Sequence, residues 1–354
     1  MTEGPTDGLL DALGWTPAWA DEASRVSSSL RHPSTAGRLV RHDGALVTVA
    51  TADGLESVPV LASLDPAPIV GDWVLVSDGA VRAVLSRTSL LRRRDTTRDV
   101  EQPIVANVDA VLIVCGLDRP VKAGRIQRAT ALAADAGAEP VIVLTKADAV
   151  ADADRVAQDL RDANPGVDVL VTSARTDTGL DALRDRIAGR TVVMIGESGA
   201  GKSRLTNALS AQEVALVGDV RGGDAKGRHT TTHREIHLLA TGGVLIDTPG
   251  IRAVGLWTDG DAVDAAFDDI ETVAAECRFS DCTHRNEPGC AVRAAVADGR
   301  LDEDRLRSWQ DLSEEADEAA KRQEAKAWRA GEGRPPRDLT RRGRDRVPDD
   351  PEDS

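Results

Sequence analysis

Tyrosine is absent from the 354 residues, phenylalanine occurs twice and tryptophan six times, so aromatics make up only 2%. The core therefore has to be built from Val, Leu, Ile and Ala, and a hydrophobic share of 41% is enough to do so. No apolar run approaches the roughly 18 residues that a membrane helix needs. The start, Met1-Thr2-Glu3-Gly4-Pro5, lacks the basic and apolar stretches of a signal peptide. The expectation is a soluble cytoplasmic protein without a membrane partner. Cysteine is also scarce, with four in all, too few and too unevenly spread for a disulfide framework. Cys277, Cys282 and Cys290 cluster, whereas Cys115 stands alone in an apolar run, which suits a metal site and one buried thiol. A formal net charge of -15 argues against loose, charge-driven nucleic-acid binding over the whole surface, while leaving room for local basic patches. The length allows two or three domains.

Residues 1–35 are mixed and mildly acidic, with Leu9, Leu10 and Leu13 spaced for one short helical face. From about Gly37 to Leu91, short apolar runs alternate with polar residues. Asp43-Gly44 and Asp78-Gly79 interrupt them as hairpin dipeptides, whose glycine accepts the positive φ of a tight turn. The pattern predicts a small β-barrel, either an oligonucleotide-binding (OB) barrel or a generic one. Leu91-Arg92-Arg93-Arg94-Asp95-Thr96-Thr97-Arg98 reads as a basic connector, a solvated linker or a phosphate contact. Beyond Val108, apolar runs at 109–114, 140–144, 167–171, 192–195 and 244–246 alternate with helical stretches. Continuous apolar strands separated by helices predict a parallel sheet covered on both faces. Residues 235–240 are expected to hairpin onto the last strand. After about 258 the chain reads as helical, with a long helix over 301–330 and a disordered tail from 331.

Gly196-Glu197-Ser198-Gly199-Ala200-Gly201-Lys202-Ser203 fits G-x-x-x-x-G-K-[ST], after an expected strand and, with Arg204, at the start of an expected helix. Glycines let the backbone wrap around a phosphate with its N–H groups inward, and the helix N-terminus adds a positive dipole. Lys202 is the candidate for the β- and γ-phosphates and Ser203 for Mg²⁺. Thr145-Lys146-Ala147-Asp148 ends another expected strand, where parallel sheets bind ligands. Asp148 can accept the N1 and N2 hydrogens of guanine, a donor pair that adenine lacks, and the Lys146 stem can lie along the base. Asn is usual at the position of Thr145. One βα step later, Thr172-Ser173-Ala174 resembles a loop that contacts the guanine edge through its backbone. Asp247-Thr248-Pro249-Gly250 fits D-x-x-G, with Asp247 near the metal and Gly250 sensing the γ-phosphate. Among Gly227-Arg228-His229-Thr230-Thr231-Thr232-His233, Thr231 is the candidate to complete the Mg²⁺ shell. Ile251 cannot hydrogen-bond to an attacking water, so His229 is the candidate for that task, packing or RNA contact being its other reading. The catalytic set is thus His229, Lys202 and Thr231.

Cys277-x₄-Cys282-x-His284-x₅-Cys290 supplies the Cys₃His donors of a closed structural zinc site, with no open position for zinc-borne hydrolysis. A phosphate-loop ATPase or small-molecule kinase would explain neither Asp148 nor this cluster. An RNA-binding scaffold that holds GTP with little turnover is the remaining alternative.

Together these features resemble the ribosome small-subunit-dependent GTPase A family, circularly permuted GTPases of bacterial ribosome assembly. The likeness covers roughly Gly37 to Trp309 and also takes in Gly71-Asp72-Trp73-Val74 and Asn107-Val108-Asp109. It implies a multidomain chain: an extension (1–35), an OB-like β-barrel (36–98), a central α/β circularly permuted P-loop GTPase (99–258), a helical zinc domain (259–330) and the tail (331–354). It implies GTP or GDP, Mg²⁺ and one structural Zn²⁺ as ligands. It also implies late maturation of the small ribosomal subunit, with hydrolysis stimulated by the subunit; the expected partners are that subunit and its rRNA, and the chain is expected to be a monomer. Thr145, the acidic balance and the Arg-rich tail depart from the family pattern.

Overall fold

The computed structural model describes residues 7–95, 100–215, 235–247, 266–279 and 282–329. His229, Thr231, Thr248, Gly250, Ile251 and the tail lie outside the described residues. Two short helices, α1 (Asp7–Ala12) and α2 (Pro17–Ser27), open the chain. Leu10 and Leu13 of the expected apolar face are buried. Next come β1 (Thr35–Asp43), β2 (Leu46–Thr51), β3 (Gly54–Pro59), β4 (Trp73–Ser77) and β5 (Ala80–Val84). They form one antiparallel sheet in the order β3-β2-β1-β4-β5, and a parallel bridge between Val60 and Val81 brings its two edges together. Edge closure of this kind makes a barrel and removes exposed edges. Asp78 and Gly79 both have positive φ, as the two-residue turn between β4 and β5 requires.

The basic run is not a connector. It forms β6 (Leu90–Asp95), paired antiparallel with β7 (Val100–Ala106) as a separate two-stranded ribbon. Arg92 leaves the ribbon to grip both carboxylate oxygens of Asp135 at 3.0 and 2.9 Å. Pro103, which has no N–H to donate, sits beside the register shift at Leu91/Arg92, where a strand tolerates it.

The remaining strands and helices are β8 (Ala110–Gly116), α3 (Ala123–Asp135), β9 (Glu139–Thr145), α4 (Ala153–Ala163), β10 (Asp168–Val171), α5 (Leu180–Ile187), β11 (Arg190–Gly196), α6 (Lys202–Leu209), β12 (Ser210–Ala215), β13 (Glu235–Leu239) and β14 (Gly243–Asp247). Their sheet runs β10-β9-β8-β11-β14-β13-β12, parallel except for β12 and β13. Alternate residues of β8 face opposite ways. Val111 and Ile113 join a cluster with Ile126 and Ala129 of α3, whereas Ala110, Leu112 and Val114 join one with Leu183 of α5 and Leu205 of α6. Both faces are therefore dry, and each fully buried Val, Leu or Ile adds roughly 1.5–3 kcal/mol. Among the described residues three helices follow: α7 (Asp268–Ala274), α8 (Ala291–Ala297) and α9 (Glu303–Arg329). Arg305 of α9 ties them to the sheet domain, donating to Ala163 O at 2.9 Å and to Asp269 at 2.7 and 2.5 Å.

The barrel is joined to the sheet domain by the residues of two short motifs. Gly71 has φ +95°, and a Cβ there would stand 2.2 Å from the Ala106 carbonyl oxygen, so the close approach needs glycine. Asp72, fully buried, accepts two 2.8 Å bonds from Arg87. Asn107 donates to Gly71 O and accepts from the Thr88 N–H, while Asp109 accepts from the Thr191 N–H at the start of β11. Trp73 sits in the barrel core against Trp15 and Trp19. Beside it lies Arg38, 1% exposed, which donates to Leu13 O, Gly71 O and Asn107 O and stacks 5.1 Å from the Trp73 ring. Burial pulls its pKa down to about 10, which still leaves it charged at neutral pH. One guanidinium thus holds α1, the barrel and the first residues of the sheet domain. Arg38→Met is expected to lower stability by about 3 kcal/mol, because three buried carbonyls lose a charged donor while the stem volume is kept. A urea unfolding midpoint unchanged from wild type would refute that role.

Candidate nucleotide site and metal cluster

From β8 the connections run outward through β9 to β10, and from β11 they run the other way to β14. The order of connections therefore reverses between the parallel neighbours β8 and β11, and the crevice at the C-terminal ends of these strands is where such sheets bind ligands. Gly196-Glu197-Ser198-Gly199-Ala200-Gly201 turns there from β11 into α6. Gly196 has φ +153°, and a Cβ would come 2.3 Å from the Val114 carbonyl oxygen, so β8 and the turn can touch only through glycine. Gly201 is left-handed at the N-cap of α6, and the Lys202 ammonium folds into the turn, 2.7 Å from Gly196 O and 2.8 Å from Glu197 O. Ser203 and Arg204 follow on the exposed side of the first helical turn. Glu197 is ion-paired with Arg125 of α3, and a cavity of about 370 Å³ opens between them, β8 and the turn. Cys115 lines this cavity as the lone thiol, with burial pushing its pKa up to about 11.

The loop after β9 is locked to that turn. Thr145 Oγ1 donates to Ala200 O at 2.5 Å, which gives the residue standing in place of Asn a structural task of its own. Lys146, left-handed at φ +60°, bonds Gly199 O at 2.6 Å and Asp118 Oδ2 at 2.7 Å. Ala147 donates its N–H to Thr172 O, which draws the loops after β9 and β10 together. Asp148 Oδ1 accepts from the Ser173 hydroxyl at 2.5 Å, and Asp148 Oδ2 lies 2.7 Å from Arg175 Nε. These bonds, led by the one from Ser173, hold the Asp148 carboxyl below the usual carboxylate range, so it is ionised and acceptor-only at neutral pH. Ala174 is exposed beside it. Asp247 ends β14, whose Ile246 pairs with Val193 of β11, so its carboxylate starts from the same edge. Asp118, Arg125 and Arg175 were missed by the motif reading. Asp118 had a usable signal, a carboxylate two residues past the end of a buried strand at the ligand edge.

The four sequence-expected metal ligands converge. The ligand atoms of Cys277, Cys282, His284 and Cys290 all lie within 4.8 Å of one another. His284 Nδ1 is 3.6 Å from Cys277 Sγ and 3.5 Å from Cys290 Sγ, and these two sulfurs are 4.0 Å apart. Tetrahedral bonds of about 2.3 Å to sulfur put two sulfurs about 3.8 Å apart, so the spacing fits a bound ion. Backbone N–H groups support the sulfurs, Ala291 to Cys277 and Arg293 to Cys290. His284, left-handed at φ +56°, is braced by Gln310 on its carbonyl and by the Trp309 ring at 5.1 Å. Burial lowers its pKa, which favours the neutral imidazole that a metal requires.

A glycine-lined phosphate turn in the middle of the sheet, locked to a Lys-x-Asp loop that precedes it in the chain, defines a circularly permuted P-loop GTPase with a cysteine-rich C-terminal cluster. The chain belongs to the RsgA GTPase family, whose sequence profile it matches over residues 84–257. It is 43% identical over 330 residues to the small ribosomal subunit biogenesis GTPase RsgA of Streptomyces coelicolor, covering 90% of this chain and 89% of that one. Among solved structures it is similar to YjeQ from Thermotoga maritima, with a TM-score of 0.63 at 27% identity over 80% of this chain and 98% of that one. It is also similar to YloQ, described as a circularly permuted GTPase, with a TM-score of 0.59 at 25% identity over 81% and 96%. Among the described residues no helix is long and apolar enough to cross a membrane.

Proposed function

We propose that this chain binds the small ribosomal subunit and assists its late maturation, hydrolysing GTP to GDP and phosphate with activity that the subunit stimulates. The observation that carries the reading is 43% identity to a small ribosomal subunit biogenesis GTPase over nine-tenths of the chain, together with two loops after β9 and β11 locked at one sheet edge. Gly196 to Ser203 with Arg204 cradle the phosphates, and Lys202 turns from the loop carbonyls to the β- and γ-phosphates. Thr145, Lys146, Ala147, Asp148, Ser173 and Ala174 read the base. Ser203, Asp247 and Thr231 would hold Mg²⁺, which supplies charge neutralisation at the phosphates. Gly250 reports the γ-phosphate and His229 orients the attacking water. Zn²⁺ suits the three thiolates and one imidazole of the cluster and would keep the C-terminal helices in place. In this reading the protein is a cytoplasmic monomer that meets rRNA through its flanking modules, whose limits fall near residues 36, 98 and 258.

The test is phosphate release by wild type and His229→Ala, with and without purified small subunits, beside GTP affinity. Subunits are expected to accelerate wild type. His229→Ala is expected to slow turnover at least about tenfold with GTP affinity kept, since only the chemical step loses a partner. Turnover indifferent to subunits would overturn the assembly reading, and an unchanged variant would remove His229 from the site.

A further inference from the structure

Guanine presents its N1–H and its 2-amino group side by side, and a carboxylate meets them with one oxygen each. In this chain both oxygens of Asp148 already have partners: Ser173 Oγ on Oδ1 at 2.5 Å and Arg175 Nε on Oδ2 at 2.7 Å. The turn that carries Arg175 is built to hold it there. The Ser173 N–H donates to Thr178 O at 2.9 Å, and the Ser173 hydroxyl oxygen receives the N–H groups of Arg175 and Thr176, both at 3.3 Å. With two donors on its oxygen, that hydroxyl turns its own proton to Asp148. Gly179 closes the turn, where a Cβ would meet the Val171 carbonyl oxygen at 2.0 Å. The Arg175 side chain is 70% exposed and that of Asp148 is 18% exposed, so Arg175 reaches the carboxylate from the solvent side.

We infer that Arg175 is a specificity-determining residue that competes with the guanine 2-amino group for Asp148 Oδ2. This rests on the reading of Asp148 as the base-recognising carboxylate. Ser173 and guanine are compatible on Oδ1, because a carboxylate oxygen has two lone pairs and the hydroxyl is buried behind it. Arg175 approaches from the solvent side and takes the direction that the 2-amino group needs. A base lacking that amino group, hypoxanthine, asks only for an acceptor at N1–H and does not displace the guanidinium. Arg175 therefore weakens guanine nucleotides selectively and narrows the margin by which they exceed inosine nucleotides. An exposed ion pair limits the effect to about two- to fivefold.

Equilibrium binding of GDP and IDP to the full chain, with Mg²⁺, tests this in wild type, Arg175→Ala and Arg175→Lys. Arg175→Ala is expected to bind GDP about two- to fivefold more tightly and IDP unchanged, raising the GDP-to-IDP preference by that factor. Arg175→Lys keeps the charge over Oδ2 and is expected to retain the wild-type preference. The gap between wild type and Arg175→Ala should shrink at high salt, which screens an exposed pair. An unchanged preference overturns the inference, as does an equal loss of both nucleotides, which would make Arg175 a support for the bound base. Asp148→Asn separates the two levels. If it leaves GDP binding intact, the base-recognition reading falls with the inference; if it abolishes GDP binding while Arg175→Ala leaves the preference unmoved, the inference falls alone.

Discussion

Asp148→Asn is expected to exchange the base that this protein accepts, lowering guanine-nucleotide affinity by about 10²–10⁴-fold and admitting xanthine nucleotides instead. The range follows from two hydrogen bonds to an ionised acceptor, each worth about 1.5–3 kcal/mol, which guanine loses together. Asn keeps one acceptor oxygen for N1–H but turns an amide donor toward the 2-position. Guanine places an amino group there, donor against donor, whereas xanthine places a carbonyl that the amide can serve. The substitution costs the exposed Arg175 pair on Oδ2 but leaves the other bonds of the loop in place. The Lys146 bonds to Gly199 O and Asp118 and the Thr145 bond to Ala200 O do not involve residue 148, and the Ser173 hydroxyl can donate to the Asn oxygen as it does to Asp148 Oδ1. Competition between GDP and XDP for the purified variant reads the outcome. Retention of GDP with no gain of XDP would mean that Asp148 does not face the base, and would reopen the identity of the nucleotide.

Much of this site was legible because its parts obey local rules. β8, β9, β11 and β14 are buried on both faces, so they read as unbroken apolar runs, and the loops after them carry the spaced motifs proposed to meet phosphate and base. The cysteine cluster was equally plain, since four ligands within fourteen positions need only a turn at Gly289 and a left-handed His284 to converge. What escaped the sequence depends on contacts that form only when distant segments meet. β12 is an antiparallel edge strand whose Ser-Ala-Gln-Glu-Val-Ala sequence has no apolar signature. β6 was hidden by its arginines, and its partner β7 with it, because a basic run looks like a solvated link until Asp135, on α3, is seen opposite Arg92. Arg38 gave no hint of burial, since the carbonyls it serves come from Leu13, Gly71 and Asn107. Thr145 had the opposite fate: as a motif letter it was a departure, yet in space its hydroxyl reaches the phosphate turn. The Gly71-Asp72-Trp73 and Asn107-Val108-Asp109 segments likewise join the barrel to the sheet domain.

Cys290→Ala should weaken metal binding by orders of magnitude and loosen the helices after the cluster. A structural zinc in a small domain contributes about 10–16 kcal/mol of binding free energy, so one ligand of four carries roughly 2.5–4 kcal/mol, a loss of about 10²–10³-fold in affinity. Removal of this sulfur has a second cost. Cys290 is the N-cap of α8 and accepts the Arg293 N–H, so the helix loses a cap worth about 1 kcal/mol. The rest of the module offers little to compensate. α7 and α8 have seven residues each, too short to stand alone, and the side chain of Phe279 is on the surface between the ligands. His284 would lose its metal while remaining buried against Trp309, and the bond from Gln310 to its carbonyl would have to hold the loop unaided. Arg305, by contrast, binds Asp269 and Ala163 O without reference to the cluster, so α9 is expected to stay anchored at its first turns while residues 277–300 open. Metal analysis of the purified variant, with hydrogen exchange across 266–329, would separate these effects. The expected result is loss of zinc to a chelator that leaves wild type loaded, fast exchange through 277–300 and unchanged exchange in β8 and β11. Cys115→Ser, which alters the lone thiol on β8, is the control and should keep one zinc per chain. Full zinc content in Cys290→Ala after the chelator would show that the cluster is not the metal site.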